Sequence, residues 1–183
     1  MLADADKRNG LRLEPLCLNH LDGIMTWVND PEVTFYFAHL SREISRDEEA
    51  RIVSQLIESK TDIIYSIFEN ETYVGQIGLS KIYWPARNAR LGAMLCRNAW
   101  GRGLITQAAH LVLEKAFQEH ALHKVWLITR SDNAKGRHIW QSIGFEEEGV
   151  LRDEYRVNER YFDMVRYGLL ADDFQLNSSM VPS

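Results

Sequence analysis

The sequence predicts a mixed α/β domain in which helices flank a central sheet. The chain has 183 residues, a length that suits one domain. Hydrophobic residues make up 45% and charged residues 26%, which is the balance of a folded globular protein. Apolar residues recur at strand spacing in some segments and at helix spacing in others. No internal repeat and no linker rich in Pro, Gly or Ser separates these segments, so we expect a single domain.

The domain is expected to span residues 11–170, between loose ends at 1–10 and 171–183. Apolar and polar residues alternate over 11–16, which predicts the first strand. Residues 19–28 then carry apolar side chains at helical spacing, and Pro31 prevents that helix from continuing.

The middle of the chain is predicted to hold a second helix and three strands. Residues 45–59 place their apolar side chains on one side of a helix. Residues 62–68 and 73–83 indicate a hairpin, because a short polar break joins two apolar runs. A third strand is expected over residues 89–96.

The strongest helical pattern begins at Ile105 and continues to Phe117, in steps of three and four residues. A buried strand over residues 125–129 and a helix over 133–143 follow. Two last strands are expected, near residues 144–152 and 161–169. Strands and helices that alternate in this way are typical of an α/β domain built on one sheet.

Charge and cysteine content narrow the setting. The formal net charge of −5 argues against a protein that grips a nucleic-acid backbone. Cys17 and Cys96 are too few for a disulfide framework, which favours a reducing compartment. The amino terminus lacks the apolar core of a signal peptide, and no run approaches the length of a membrane span. We therefore expect a cytoplasmic protein that binds no membrane.

One segment carries the pattern of a phosphate-binding loop. A predicted strand is followed by a loop with two glycines and then by the strongest predicted helix. This order directs backbone N–H groups and the positive end of a helix dipole at one point, which suits a phosphate. The spacing matches neither a P-loop nor a dinucleotide fingerprint. A plain turn from strand to helix remains the alternative interpretation.

The loop resembles the pyrophosphate loop of the GNAT superfamily of N-acetyltransferases. Its residues are Trp100-Gly101-Arg102-Gly103-Leu104-Ile105-Thr106. The block at residues 133–145 resembles a second segment of the same superfamily. The blocks at residues 27–33 and 148–152 are similar to the branch that holds ribosomal-protein and spermidine N-acetyltransferases. The resemblance covers about residues 11–170 and implies a single GNAT-like domain with a mostly antiparallel central sheet.

The resemblance also implies a reaction, the direct transfer of an acetyl group from acetyl-CoA to a primary amine in a ternary complex. The amine could belong to a polyamine, a protein amino terminus, an amino sugar or an antibiotic. Loop residues 100–106 would wrap the pyrophosphate. The pantetheine arm would lie along the preceding strand, at Ala93, Met94 and Leu95. Asn133, further along the chain, would complete the site. Ile105, although part of the loop, is expected to pack into the core.

The largest departure from the family is Trp140, at the position where many members place a tyrosine that protonates the departing thiolate. An indole N–H is not a usable acid near neutral pH. Trp140 remains a candidate catalytic residue with a role other than that of the acid. The candidates for the acid are Ser142, Tyr155 and Tyr161. Arg90 stands at a position where relatives can carry a glutamate. The candidates for the general base are therefore Glu32, Glu154, Asp163 and His138.

Acceptor contacts are expected from the first helix and the loop after it, at Trp27, Asp30, Glu32 and Tyr36. The aromatic run that includes Tyr36 is typical of core, with an amine pocket as the alternative. Seven acids between residues 146 and 163 would attract a cationic amine or simply be solvated. No metal site is expected, and relatives are often dimers or larger. A non-catalytic module that binds coenzyme A is the alternative function, because Trp140 removes the usual acid.

Overall fold

A computed structural model of the protein describes residues 7–8, 10–37, 42–157 and 159–179. Its eight strands form one sheet in the order β1-β2-β3-β4-β5-β6-β8-β7. The strands are β1 (Lys7–Arg8), β2 (Leu11–Pro15), β3 (Ile63–Glu69), β4 (Thr72–Tyr83), β5 (Asn88–Leu95), β6 (Lys124–Arg130), β7 (Glu146–Val157) and β8 (Arg160–Leu170). Neighbouring strands are antiparallel except β5 and β6, which run parallel. The predicted mixed fold with a mostly antiparallel sheet is therefore confirmed.

Six α-helices lie against this sheet among the described residues. They are α1 (Leu21–Met25), α2 (Pro31–Thr34), α3 (Arg46–Glu58), α4 (Leu104–Glu114), α5 (Ala134–Ile143) and α6 (Ala171–Ser179). Side chains cap three of them, since Asp30 accepts a hydrogen bond from the N–H of Glu32, Ser45 accepts one from the N–H of Glu48, and Asn133 accepts one from the N–H of Gly136. The end of α4 widens into a π-helical turn at Lys115–Glu119.

The sheet separates two hydrophobic clusters. The larger cluster includes Leu91 of β5 and the fully buried Val112 of α4. The second cluster is formed by α1 to α3 and holds Val53, with Met94 of β5 packed against it. Because successive residues of a strand point to opposite faces, Leu91 and Met94 place the two clusters on opposite sides of β5. The apolar stripe that predicted α4 is thus the stripe that fills the larger cluster.

The structure corrects the prediction at both ends and in the first helix. Residues 7–8 pair with β2, and α6 begins at Ala171, so the loose ends predicted at 1–10 and 171–183 are partly ordered. Phe174 explains α6, since its ring is 3% exposed and lies 5.3 Å from the ring of Phe117. The helix predicted over 19–28 is a 3-10 turn followed by the short α1. The remainder of both predicted ends falls outside the described residues.

In the part of the chain that the structure describes, every helix is too short or too polar to cross a membrane.

Candidate active site

A wedge-shaped opening divides the middle of the sheet. Among the described residues, β5 and β6 pair only from Asn88 and Lys124 to Arg90 and Trp126. Beyond Arg90, β5 follows β4 as far as Leu95, while β6 follows β8 to its end. We call this space the wedge: it lies between residues 91–95 of β5 and residues 127–130 of β6. It is narrow at Arg90 and open at the carboxyl ends of both strands.

The backbone of β5 directs hydrogen-bonding groups into the wedge. The N–H of Cys96 donates to the carbonyl of Val74 at 2.8 Å, so Cys96 faces β4. Backbone groups alternate along an antiparallel ladder, and Ala93 and Leu95 therefore face away from β4. The same alternation holds at the narrow end, where the carbonyl of Arg87 accepts from the N–H of His123 at 2.7 Å. An extended ligand in the wedge can pair with β5 as a further strand would.

Met94 occupies a different position from its neighbours. Its backbone faces β4, opposite Gln76, and its side chain packs against the second hydrophobic cluster. The contact between Met94 and a cofactor that the resemblance implied is therefore not built into the strand. Ala93 and Leu95 keep that role as predictions.

The loop after β5 leads the chain to the amino terminus of α4. Gly101 and Gly103 have φ values of 75° and 68°, a left-handed conformation that glycine adopts without strain. Gly103 is the N-cap of α4 and has no side chain to accept a hydrogen bond. The first N–H groups of α4 have no partner within the helix, and the dipole adds positive potential at the same place. This geometry suits an anionic oxygen.

The side chains of the loop are engaged elsewhere. The indole of Trp100 donates to the carbonyl of Leu95 at 3.0 Å, and Arg102 forms an ion pair with Glu69 at 2.5 Å. Leu104 is buried and Ile105 packs against the larger cluster, as predicted for Ile105. The loop therefore offers a ligand its backbone from residue 101 to Thr106. Coenzyme A fits this arrangement, with its diphosphate at the loop and its amide-bearing arm along β5.

A cavity of about 750 Å³ lies beside the open end of the wedge. Its wall comes from α2 and the segment after it, from the end of β6, and from the β7–β8 hairpin. The helix α2 connects this cavity to the glycine loop, because Glu32 forms an ion pair with Arg97 and Asp30 lies 4.0 Å from the same guanidinium. Asp30 and Glu32, predicted acceptor contacts, thus stand between the cavity and the loop.

Arg130 organises the wall of the cavity. Its side chain is 3% exposed and bonds Asp132 twice, at 3.0 and 2.6 Å. The guanidinium also donates to the carbonyl of Phe35 at 3.1 Å. It lies over three rings, 3.8 Å from the centroid of Phe162, 5.0 Å from Tyr36 and 5.2 Å from Phe35. The aromatic run at 35–37 is therefore not core, since Phe35 is 59% exposed and Tyr36 packs on Arg130.

Trp27 and Cys96 lie in the second hydrophobic cluster. Trp27 is 3% exposed, and its indole donates to the hydroxyl of Tyr73 at 3.2 Å, so it supports α1 instead of touching an acceptor as predicted. Burial raises the pKa of the Cys96 thiol, which disfavours the reactive thiolate. Both residues are structural.

Two of the catalytic candidates are occupied within their own helix or cluster. Ser142 is exposed, and its hydroxyl donates to the carbonyl of Ile139 at 2.7 Å. Trp140 packs against the larger cluster, with its ring 6.0 Å from that of Phe145. Asn133, a predicted cofactor contact, caps α5 by accepting from the N–H of Gly136 at 3.0 Å. These contacts explain the positions of all three side chains, and no ligand is needed to explain them.

Tyr155 is the catalytic candidate that lies near the wedge. It is half-buried and interacts with Arg90, the last residue of β5 that pairs with β6. Burial lowers the pKa of Arg90, and the interaction with Tyr155 opposes that effect. By contrast, Tyr161 is 55% exposed under the guanidinium of Arg156, and Asp163 accepts from the N–H of Asp153 at 2.9 Å.

The remaining charged candidates lie on the surface. His138 and Glu154 are both exposed. The acidic stretch at 146–163 is partly neutralised, because Glu147 pairs with Arg137 and Glu148 pairs with both Lys124 and Arg166. In the described ranges, His, Cys, Asp and Glu side chains form no cluster that could hold a metal ion.

The geometry of the wedge and loop agrees with the comparison to known families. A model of the acetyltransferase (GNAT) domain matches residues 10–146. The chain belongs to the GNAT acetyltransferase family. This confirms the family predicted from the four motifs.

Two relatives support the same assignment. YdaF of Bacillus subtilis (strain 168), a candidate ribosomal N-acetyltransferase, is 34% identical over 101 residues, which cover 55% of this chain and 55% of YdaF. The chain therefore matches about half the length of that relative. The uncharacterised N-acetyltransferase p20 of Bacillus licheniformis is 27% identical over 171 residues, which cover 90% of this chain and 94% of p20.

The fold is shared with a solved GNAT structure. Spermidine N-acetyltransferase from Vibrio cholerae, crystallised in complex with CoA and spermine, matches with a TM-score of 0.84 and 24% identity. The match covers 92% of this chain and 99% of that chain.

Sequence reasoning missed the residues that shape the cavity. Arg130, Asp132, Arg160 and Phe162 come from segments far apart from Phe35 in the chain. The signal that could have found Arg130 is a charged residue at the end of a buried strand, followed two residues later by an acid.

Proposed function

We propose that this chain is an acetyl-CoA-dependent N-acetyltransferase that moves an acetyl group directly to a primary amine. The observation that carries the proposal is the wedge, where the N–H groups of Ala93 and Leu95 turn away from β4 toward a space that ends at the glycine loop. The cavity beside it offers room for an acceptor, so both substrates can be bound at once. Acetyl-CoA supplies an activated thioester when bound, which leaves the protein to position an amine and manage its proton.

Main-chain groups hold the cofactor in this proposal. The N–H groups of Ala93 and Leu95 orient the pantetheine arm, and the backbone from Gly101 to Thr106 binds the diphosphate. An N–H of β5 at the thioester carbonyl would stabilise developing negative charge as an oxyanion-hole donor does. Trp100 completes the end of the strand through its bond to Leu95.

Tyr155 carries the proton in this proposal. The acceptor arrives as an ammonium ion and has to lose a proton, while the leaving thiolate has to gain one. Tyr155 interacts with the guanidinium of Arg90 at the narrow end of the wedge, and its hydroxyl can both donate and accept a hydrogen bond there. Trp140 has no part in this step, since its ring packs against the larger cluster.

Glu32 is the weaker candidate for a general base. Its carboxylate is bound to Arg97 and is therefore not free to accept a proton from the acceptor. We infer that the pair instead holds α2 in place. A water chain from the cavity would then carry the first proton away.

The setting of the reaction follows from the same features. The names of the relatives point to amines on polyamines and on ribosomal proteins, and we propose a small-molecule or peptide amine as the acceptor. Cys17 and Cys96 both carry free thiols in the described structure, which fits a cytoplasmic protein. We also propose a homodimer or larger oligomer, which light scattering would test.

Thermal unfolding with and without acetyl-CoA tests the cofactor site. At 100 times its dissociation constant, the ligand should stabilise the folded protein by about 2.7 kcal/mol. Release of free thiol in the presence of an amine panel then tests transfer. Stabilisation with thiol release supports the enzyme. Stabilisation without release for any amine would favour the module that only binds coenzyme A.

A further inference from the structure

The charges on the cavity wall are not those expected for a polycationic acceptor. Five charged residues line it, three of them arginines: Arg42, Glu43, Arg130, Asp132 and Arg160. Polyamines carry several positive charges and are best recognised by walls with an excess of carboxylates. Here the wall carries three cationic and two anionic side chains.

Internal ion pairs decide which of these charges can meet a ligand. Arg130 and Asp132 bind each other, and Arg130 is buried. Arg42 is held by two bonds to Glu48 of α3, which does not line the cavity. Arg160 stacks over Phe162 at 5.0 Å, and no described carboxylate lies within ion-pair distance of it. Glu43 is exposed and likewise has no cationic partner among the residues described.

Two of the aromatic side chains of the wall, Phe35 and Phe162, already contact a cation of the protein itself. Phe162, Tyr36 and Phe35 surround the guanidinium of Arg130. A cationic ligand placed on the same rings would compete with a buried group that Asp132 and the carbonyl of Phe35 hold in position. Phe35 and Phe162 are therefore poorly placed to bind a second ammonium group.

We propose that the acceptor is an amine that also carries a carboxylate, such as an amino acid or the amino terminus of an acidic peptide. Arg160 binds the carboxylate, and Glu43 attracts the ammonium group as the acceptor enters. A guanidinium gives a carboxylate two parallel hydrogen bonds, which fixes orientation as well as charge. This inference rests on the proposed function, because it names the acceptor of that same site.

The reaction remains balanced for such an acceptor. The amine nitrogen forms a bond to the acetyl carbon, and the carbon–sulfur bond of the thioester breaks. The ammonium nitrogen loses two protons: the first is released to water before the attack, and the second reaches the sulfur of coenzyme A. The carboxylate on Arg160 takes no part in bond making.

Matched peptides and variants test the role of Arg160. The probes are Ala-Ala-Glu and Ala-Ala-Gln, both amidated at the carboxyl end, together with free alanine, alaninamide and spermidine. In the wild type we expect lower KM values for the two probes with a carboxylate, Ala-Ala-Glu and alanine, than for their neutral counterparts. Arg160→Ala should raise the KM for the preferred acidic probe about tenfold, since hydrogen bonds to charged groups are among the stronger ones. The KM for acetyl-CoA and for the neutral probe should not change.

Arg156→Ala is the control, because Arg156 lies in the same hairpin over Tyr161 and outside the cavity. It should leave every KM unchanged. Arg160→Glu should reverse the order of the Glu and Gln probes. A preference for peptide over free amino acid would identify the source of the carboxylate.

A binding measurement separates this proposal from the proposed function. Calorimetry with the coenzyme A complex should show tighter binding of the acidic probe, and Arg160→Ala should remove the difference. If that pattern appears without thiol release, the acceptor class stands and the transferase assignment fails. If spermidine or the Gln peptide binds and reacts best, or if Arg160→Ala changes nothing, the acceptor class is wrong.

Discussion

The cofactor side and the acceptor side of this site are built from different chemistry. Beside the wedge, the groups offered to a ligand are backbone N–H and C=O groups of β5 and of the loop before α4. In the cavity, the groups on offer are side chains from α2, β6 and the β7–β8 hairpin. A backbone site depends on strand register and glycine conformation and tolerates changes of side chain. A side-chain site depends on a few residues that distant segments bring together.

This difference explains how Trp100 and Trp140 can depart from the family pattern. The indole of Trp100 bonds to Leu95 and leaves the loop backbone accessible. Trp140 lies among core side chains, so the proton has to be carried from elsewhere. Cofactor binding by the backbone is kept when a side chain changes. Proton transfer depends on a side chain, so it requires a different group when that side chain is replaced.

The largest effect is expected at Tyr155, at the narrow end of the wedge. Tyr155→Phe keeps the ring and removes the hydroxyl that we propose carries the proton. General acid–base catalysis contributes on the order of 100-fold or more, so kcat should fall about 100-fold. Stopped-flow measurement of thiol release would give kcat, with the KM values nearly unchanged. Tyr161→Phe is the control, and an equal loss in both variants would contradict the role of Tyr155.

Arg130 tests whether the cavity depends on one buried cation. Arg130→Ala leaves Asp132 without its partner and uncovers three rings. Breaking a buried pair costs about 3–5 kcal/mol, and the half exposure of Asp132 reduces this to about 2 kcal/mol of unfolding free energy. Urea unfolding would measure the loss. Arg130→Lys keeps the charge and should lose less, and an unchanged midpoint in both variants would show that the wall does not rely on Arg130.

Ala93 tests the backbone side. Ala93→Pro removes an N–H that faces the wedge and leaves the ladder with β4 in place. The loss of one hydrogen bond should weaken coenzyme A binding about tenfold, as measured by calorimetry. Ala93→Gly retains the N–H and is the matched control. Equal affinity for both variants would mean that the strand backbone does not bind the cofactor.

Ser142 should have the smallest effect. Its hydroxyl is exposed and bound to the carbonyl of Ile139 in its own helix. Ser142→Ala should leave kcat and both KM values within about twofold, because surface substitutions away from functional groups are nearly neutral. Steady-state kinetics would show this, and a large loss would return Ser142 to the set of proton carriers.

The same contrast decides what could be predicted from the sequence. The apolar spacing of α4 and the glycines at 101 and 103 are local patterns, and both elements appear where they were predicted. Phe174 was missed because a single aromatic residue in a polar stretch shows no periodicity. Arg130, Phe35 and Phe162 meet only after β6 and β8 pair, and no local pattern encodes that meeting.

Amide hydrogen exchange at β5 tests the central claim most directly. Without ligand, the amides of Ala93 and Leu95 should exchange much faster than that of Cys96, which is bonded to Val74. With coenzyme A bound, we expect exchange at Ala93 and Leu95 to slow at least about tenfold, the effect of closing one hydrogen bond. Exchange at Cys96 should change little. Saturating coenzyme A that leaves Ala93 and Leu95 as fast as before would contradict a cofactor bound along the edge of β5.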